Sequence, residues 1–157
     1  MLKQVSLRLA DQGPFSACGR KHDANITVID CKRLETGGMM LLLRVDGHVD
    51  DDFVDDLKRM PGVKHVNASG LGGRGPLVLV ALETPLFCEI AMSSGFLCAS
   101  CPLSSNRAGR CGWDVLVRDV SDLKKVTRLL EWNGFPAQIK RVSESTRDGP
   151  LTKAHAR

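Results

Sequence analysis

Apolar residues alternate with polar ones at the start of the chain, where Leu2, Val5, Leu7 and Leu9 fall among polar neighbours, and the two-residue period predicts a strand over 2–9. A loop marked by Gly13-Pro14 and Cys18-Gly19 follows. Ile26-Thr27-Val28-Ile29-Asp30-Cys31, rich in β-branched residues, predicts a second strand over 26–31. Glu35-Thr36-Gly37-Gly38 then turns the chain into Met39–Val45, a nearly unbroken apolar run of the kind expected of a strand buried on both faces. The period changes after Asp50. Val49, Phe53, Leu57 and Met60 recur at helical spacing behind Asp50, Asp51 and Asp52, which suit the positive end of a helix, and Pro61-Gly62 stops it. Strands are predicted over 63–68 and 77–82 around a turn at 70–76, then a short helix over 86–92. A strand over 113–117, a helix capped by Ser121 and ended by Gly134, and a final strand over 137–142 complete the pattern.

One unit occurs twice in this pattern. Met40–Asp46, an amphipathic helix, Met60-Pro61-Gly62-Val63 and a strand are echoed by Val115–Asp119, an amphipathic helix, Asn133-Gly134-Phe135-Pro136 and a strand. The expected fold class is therefore α+β: two ferredoxin-like β-α-β repeats of the ACT-like kind, each a mainly antiparallel sheet with helices on one face. The repeat units span about 38–83 and 113–142, strands 2–9 and 26–31 complete the sheets, and residues 1–142 form the duplicated region. Residues 143–157 are expected to be a polar linker and the start of a helix.

Composition changes this picture little. With 157 residues, 43% of them apolar and 25% charged, the chain can bury a core and is not of the disordered class. No apolar run approaches the roughly 20 residues of a membrane span and no secretory signal opens the sequence, so the expected setting is the cytoplasm, without a membrane partner. The net charge of +4 is mild but uneven: acids gather at Asp46–Asp56, and Lys and Arg dominate from Lys124 onward. Aromatic content of 4% and the absence of Tyr argue against an RNA-recognition surface.

The cysteines carry the most specific chemistry. Four of six fall in one stretch, Cys88, Cys98, Cys101 and Cys111, spaced C-x9-C-x2-C-x9-C. Gly95, Pro102, Ser104, Ser105, Asn106, Gly109 and Gly112 make their surroundings a loop, where thiols serve no core. Four thiolates on one ion would order this segment of about 24 residues. Zinc would make the site structural, and an iron–sulfur cluster, suggested by Cys101-Pro102, would make it redox-responsive. With no metal, Cys98 and Cys101 can exchange between dithiol and disulfide.

The remaining motifs are structural in character. Gly70-Leu71-Gly72-Gly73-Arg74-Gly75 has the G-x-G-x-x-G string, but Pro76 and a strand follow where a phosphate-binding turn would open into a helix. The Asp50–Asp52 and Asp55-Asp56 groups lack the spacing of a calcium loop. His22, His48, His65 and His155 are scattered and no catalytic constellation is present, so no enzyme activity is expected. Cys18 precedes Gly19-Arg20-Lys21-His22, whose charge could activate a thiol, although an ordinary loop cysteine is the simpler reading. Cys31, ending an apolar strand, reads as a small core residue.

The paired β-α-β units, the Trp113-Asp114-Val115-Leu116-Val117-Arg118-Asp119 strand with its helix, the Val142-Ser143-Glu144 exit and a segment opening on Leu151-Thr152 resemble the N-terminal sensing region of archaeal transcriptional regulators of the bacterio-opsin-activator type. The resemblance implies a sensor that reaches DNA only through a C-terminal helix-turn-helix, and it is compatible with a homodimer. The expectation is a regulatory module with a metal-binding or redox-responsive cysteine loop. Its rivals are an ACT-like domain binding a small ligand near Asp46-Gly47-His48 and Asp119-Val120-Ser121, and a small redox or iron–sulfur protein.

Overall fold

The computed structural model describes residues 2–9, 13–93, 97–135 and 137–144. Gly95 and the segment from 145 onward, with its Leu151-Thr152 helix start, lie outside them. The chain divides into two compact units: Met1–Asp11, Pro85–Pro102 and Gly112–Arg157 form the first, and Gln12–Thr84 with Leu103–Cys111 the second. Each is α+β and each holds one antiparallel four-stranded sheet.

In the first unit, β1 (Lys3–Leu9) is followed after the whole of residues 12–84 by α3 (Leu86–Ser93), β6 (Leu97–Cys98), β7 (Gly112–Val117), α4 (Val120–Trp132) and β8 (Ala137–Glu144). The sheet order is β6-β7-β1-β8. β1 runs antiparallel to both β7 and β8, so β7 and β8 are parallel with β1 between them, joined through α4. β1 and β6 are likewise parallel with β7 between them. Val5 and Leu7 of β1 and Trp113, Val115 and Val117 of β7 point to one face, where they meet Phe87, Ile90 and Ala91 of α3 and Leu123 and Leu130 of α4. Burying an aliphatic side chain of this size stabilises by about 1.5–3 kcal/mol.

α4 begins at Asp119, whose carboxylate accepts from Ser121 N–H at 3.2 Å, so the cap lies two residues before the expected Ser121. It ends in a Schellman arrangement: Phe135 N–H donates to Leu130 O at 2.7 Å and Gly134 N–H to Glu131 O at 3.1 Å. Gly134 stands at φ +83°, a conformation that L side chains avoid, which explains the glycine.

The second unit contains α1 (Ser16–Lys21), β2 (Asn25–Arg33), β3 (Met39–Asp46), α2 (Asp51–Arg59), β4 (Val63–Ala68) and β5 (Leu77–Leu82), with sheet order β2-β3-β5-β4. β3 and β4 are parallel, separated by β5 and joined through α2, which is the arrangement of β7, α4 and β8 in the first unit. The apolar run of β3 is covered more fully on one face: Met39, Leu41, Leu43 and Val45 are buried, and Met40 and Leu42 are half-buried. Asp50 caps α2 by accepting from Phe53 N–H at 2.8 Å, and Phe53 and Leu57 on that helix are fully buried.

Two further features depart from the sequence pattern. α1 is a helix where a loop was expected, with Cys18 buried on its inner side. β2 is an edge strand with a register shift between Val28 and Asp30, and Cys31 on it is exposed, contrary to its expected place in a core. Among the described residues, no helix is long and apolar enough to cross a membrane.

Candidate functional site

The cysteine segment starts on α3 and passes through β6 to β7, and each thiol meets a different environment. Cys88 is buried on α3 beside Phe87, Ile90 and Ala91 in sequence. Cys98 is exposed in β6, opposite Val115 of β7, and its Sγ accepts the indole N–H of Trp113 at 3.2 Å. Trp113 is 1% exposed and its ring packs edge-on against Phe87 with centroids 4.8 Å apart, so the donor is held by the core.

The chain is fixed again immediately after Cys98. Ala99 N–H and Ser100 N–H both donate to Asp114 O, at 2.8 and 3.1 Å. Ser100 Oγ accepts from Asp114 N–H at 2.9 Å and donates to Oδ2 of the same residue at 3.3 Å, and Ser6 Oγ donates to its Oδ1 at 2.6 Å. Asp114 thus anchors the loop between Cys98 and the half-buried Cys101. Nothing in the sequence marked Trp113 or Asp114 as partners of the cysteine segment, because their roles come from lying across the sheet from β6.

Cys111 belongs to the second unit, with residues 103–111. Its buried Sγ accepts from Gly13 N–H at 3.3 Å and lies 3.1 Å from Ser16 Oγ. This stretch is tied to β2 by the Ile26–Ser105 bridge and by Val28 N–H donating to Ser104 Oγ at 3.0 Å. Arg107 Nη1 donates to Asp23 O at 2.9 Å and its Nη2 lies 3.3 Å from Asp46 Oδ2. The loop is ordered by hydrogen bonds and ion pairs. Among the described residues, the four thiols of Cys88, Cys98, Cys101 and Cys111 do not form a group of three or more within ion-sharing distance.

The one such group among the described residues is His22, Asp52 and Asp56, whose candidate ligand atoms lie within 4.8 Å of one another between α1 and α2. A cation already occupies it: Lys21 Nζ is 2.8 Å from Asp56 Oδ2 and 3.7 Å from Asp52 Oδ2. His22 Nε2 lies 2.7 Å from the same Asp56 oxygen, and its ring meets Phe53 edge-on at 5.2 Å. Hydrogen bonds from Lys21 and then His22 hold the Asp56 carboxyl below its usual range, and the same contact raises Lys21 above its own.

A cavity of about 260 Å³ adjoins this cluster, lined by Pro14, Ala17, Cys18, Lys21, Asp56 and Met60. Burial, with the negative Asp56 nearby, pushes the Cys18 thiol up to about 12. The cationic neighbours that the sequence offered as activators are outweighed, and Cys18 is a protonated thiol rather than a nucleophile. The glycine-rich segment is a hairpin turn: Ser69 Oγ accepts from Leu77 N–H at 3.1 Å, Arg74 pairs with Asp51 at 3.2 Å, and β5 follows directly. His65 is exposed on β4.

No protein-family model matches this chain, and none of the curated proteins is similar to it.

Proposed function

We propose that the chain is the sensor module of a transcriptional regulator, built of two ferredoxin-like units and responsive to thiol oxidation at Cys98 and Cys101. The strand orders support the scaffold. The first unit follows β-α-β-β-α-β with order β6-β7-β1-β8, the interleaved double β-α-β of the ferredoxin-like fold, interrupted after its first strand by the second unit. The second unit has the corresponding sheet with its elements in permuted order, α-β-β-α-β-β. The resemblance to regulators of the bacterio-opsin-activator type carries the link to DNA, which this reading assigns to a helix-turn-helix beyond the two units.

The observation that carries the response is Cys98, an exposed residue whose sulfur accepts from a buried indole N–H donor. A donor to sulfur favours thiolate over thiol, and the thiolate is the species that oxidants attack. With hydrogen peroxide, the Cys98 thiolate takes one oxygen to become a sulfenic acid while the other leaves as water once protonated. The Cys101 thiol then displaces a second water to close the disulfide. Two thiols lose two electrons and two protons, and peroxide gains both pairs. The pairing needs only two sulfurs three residues apart, whereas zinc or an iron–sulfur cluster needs several ligands gathered at one point.

Loop closure at 98–101 would strain the Asp114 anchor, and with it the β6–β7 pairing that opens onto α4 and β8. The test is a redox titration of the full chain in glutathione buffers, followed by alkylation of free thiols. A two-electron transition that disappears in both Cys98→Ser and Cys101→Ser supports the reading; a transition unchanged in either variant refutes it.

A further inference from the structure

We propose that the cavity between α1 and α2 is a binding site for a small primary amine with a short apolar tail, its ammonium taking the place that Lys21 Nζ holds between Asp56 and Asp52. The chain itself demonstrates the fit of the head group. An ammonium already stands 2.8 Å from Asp56 Oδ2 and 3.7 Å from Asp52 Oδ2, charge-assisted contacts that an incoming amine can reproduce.

The occupant is replaceable. The Lys21 side chain is 57% exposed, so its ammonium can leave for water, while Asp56 is 17% exposed and stays in place, held by His22 at 2.7 Å and by Arg59 at 3.6 Å. Asp50, Asp51, Asp52, Asp55 and Asp56 give the first turns of α2 an acidic character that attracts a cation and repels an anion of the same shape. The rest of the cavity wall is apolar: Pro14, Ala17, Met60 and the protonated Cys18 offer no charge and suit a short hydrocarbon tail. At about 260 Å³ the space lies just below the usual range for drug-sized ligands and limits the guest to a few heavy atoms. A bare divalent ion would use the carboxylates and leave this wall uncovered.

The experiment compares three probes of one shape by amide chemical-shift perturbation of the full chain at neutral pH: 3-methylbutylamine, 3-methylbutan-1-ol and 3-methylbutanoate. The amine alone should saturate, with a dissociation constant on the order of millimolar for so small a ligand, and should shift residues 15–21 and 52–60. Lys21→Met should tighten amine binding, since the internal competitor is removed. Met60→Trp should abolish binding by filling the cavity while leaving the spectrum folded. Equal responses to the three probes, weaker amine binding in Lys21→Met, or no saturable response in the wild type would overturn the proposal.

Discussion

Replacing Trp113 by Phe separates the role of the indole donor from the role of the ring. Phenylalanine keeps an aromatic ring in the cluster with Phe87, Val115 and Leu123 but removes the N–H that reaches Cys98 Sγ at 3.2 Å. A hydrogen bond to a charged acceptor is stronger than one to a neutral acceptor by about 1 kcal/mol, which corresponds to roughly a fivefold loss of thiolate at Cys98 near neutral pH when the donor is removed. The remaining thiolate is more basic and intrinsically more nucleophilic, with a sensitivity of about 0.4–0.5, so about half of the logarithmic change is offset. The Cys98 reaction with a disulfide reagent should therefore slow by about two- to threefold. Losing part of a ring that is 1% exposed should also cost about 1–3 kcal/mol, below the range for full truncation to Ala. Stopped-flow kinetics with the other cysteines changed to Ser gives the first number, and urea unfolding by circular dichroism the second. An unchanged or faster thiol reaction in a variant that remains fully folded would refute the assignment of Trp113 as the donor that activates Cys98.

Other outcomes follow from the same contacts. Asp50→Ala removes the cap that accepts from Phe53 N–H and should cost about 1 kcal/mol in urea unfolding, with Asp50→Asn recovering most of it. Cys18, raised to about 12, should resist iodoacetamide at pH 8 in the native state and react only after unfolding. The Lys21–Asp56 contact should shape stability at both ends of the pH scale. Asp56 is depressed in the folded state, so its contribution is complete above the ordinary carboxylate value of 3.8 and disappears as pH falls through the lower folded value. Lys21 is raised, so its contribution is complete below 10.5 and disappears as pH climbs through the higher folded value. Thermal melts of Asp56→Asn against wild type should thus differ most between these limits and converge outside them.

Elements whose periodicity agreed with their burial were legible in the chain. β5 matches its predicted span, and α2 follows from Val49, Phe53 and Leu57 together with a capping aspartate. The elements of β3-α2-β4 and β7-α4-β8 were also visible, because each set is continuous in sequence; each bridges one intervening strand. Strands 2–9 and 26–31 were expected to complete the sheets, and β1 and β2 lie one in each; which strands they pair with was not legible. β1 pairs with β7 and β8 more than a hundred residues away, and no local pattern encodes a partner at that distance. α1 escaped notice because six residues with Gly19 among them and no side-chain cap carry little helical signal.

The cysteines show the same limit in chemical form. The backbone amides of Ala99 and Ser100 turn toward Asp114 while Ser104 and Ser105 pair with β2, so Cys98 and Cys111, close along the chain, belong to different units. Cys31 read as core from its apolar neighbours, yet edge strands leave such positions open to solvent.

Peptide mass mapping of the full chain after stepwise hydrogen peroxide addition is the most direct measurement of the central claim. The account predicts that a Cys98–Cys101 disulfide is the first linkage to form, that dithiothreitol reverses it, and that Cys18 and Cys111 remain thiols at that stage. Oxidation that begins at any other cysteine, or that carries Cys98 to a sulfinic acid without pairing to Cys101, would contradict it.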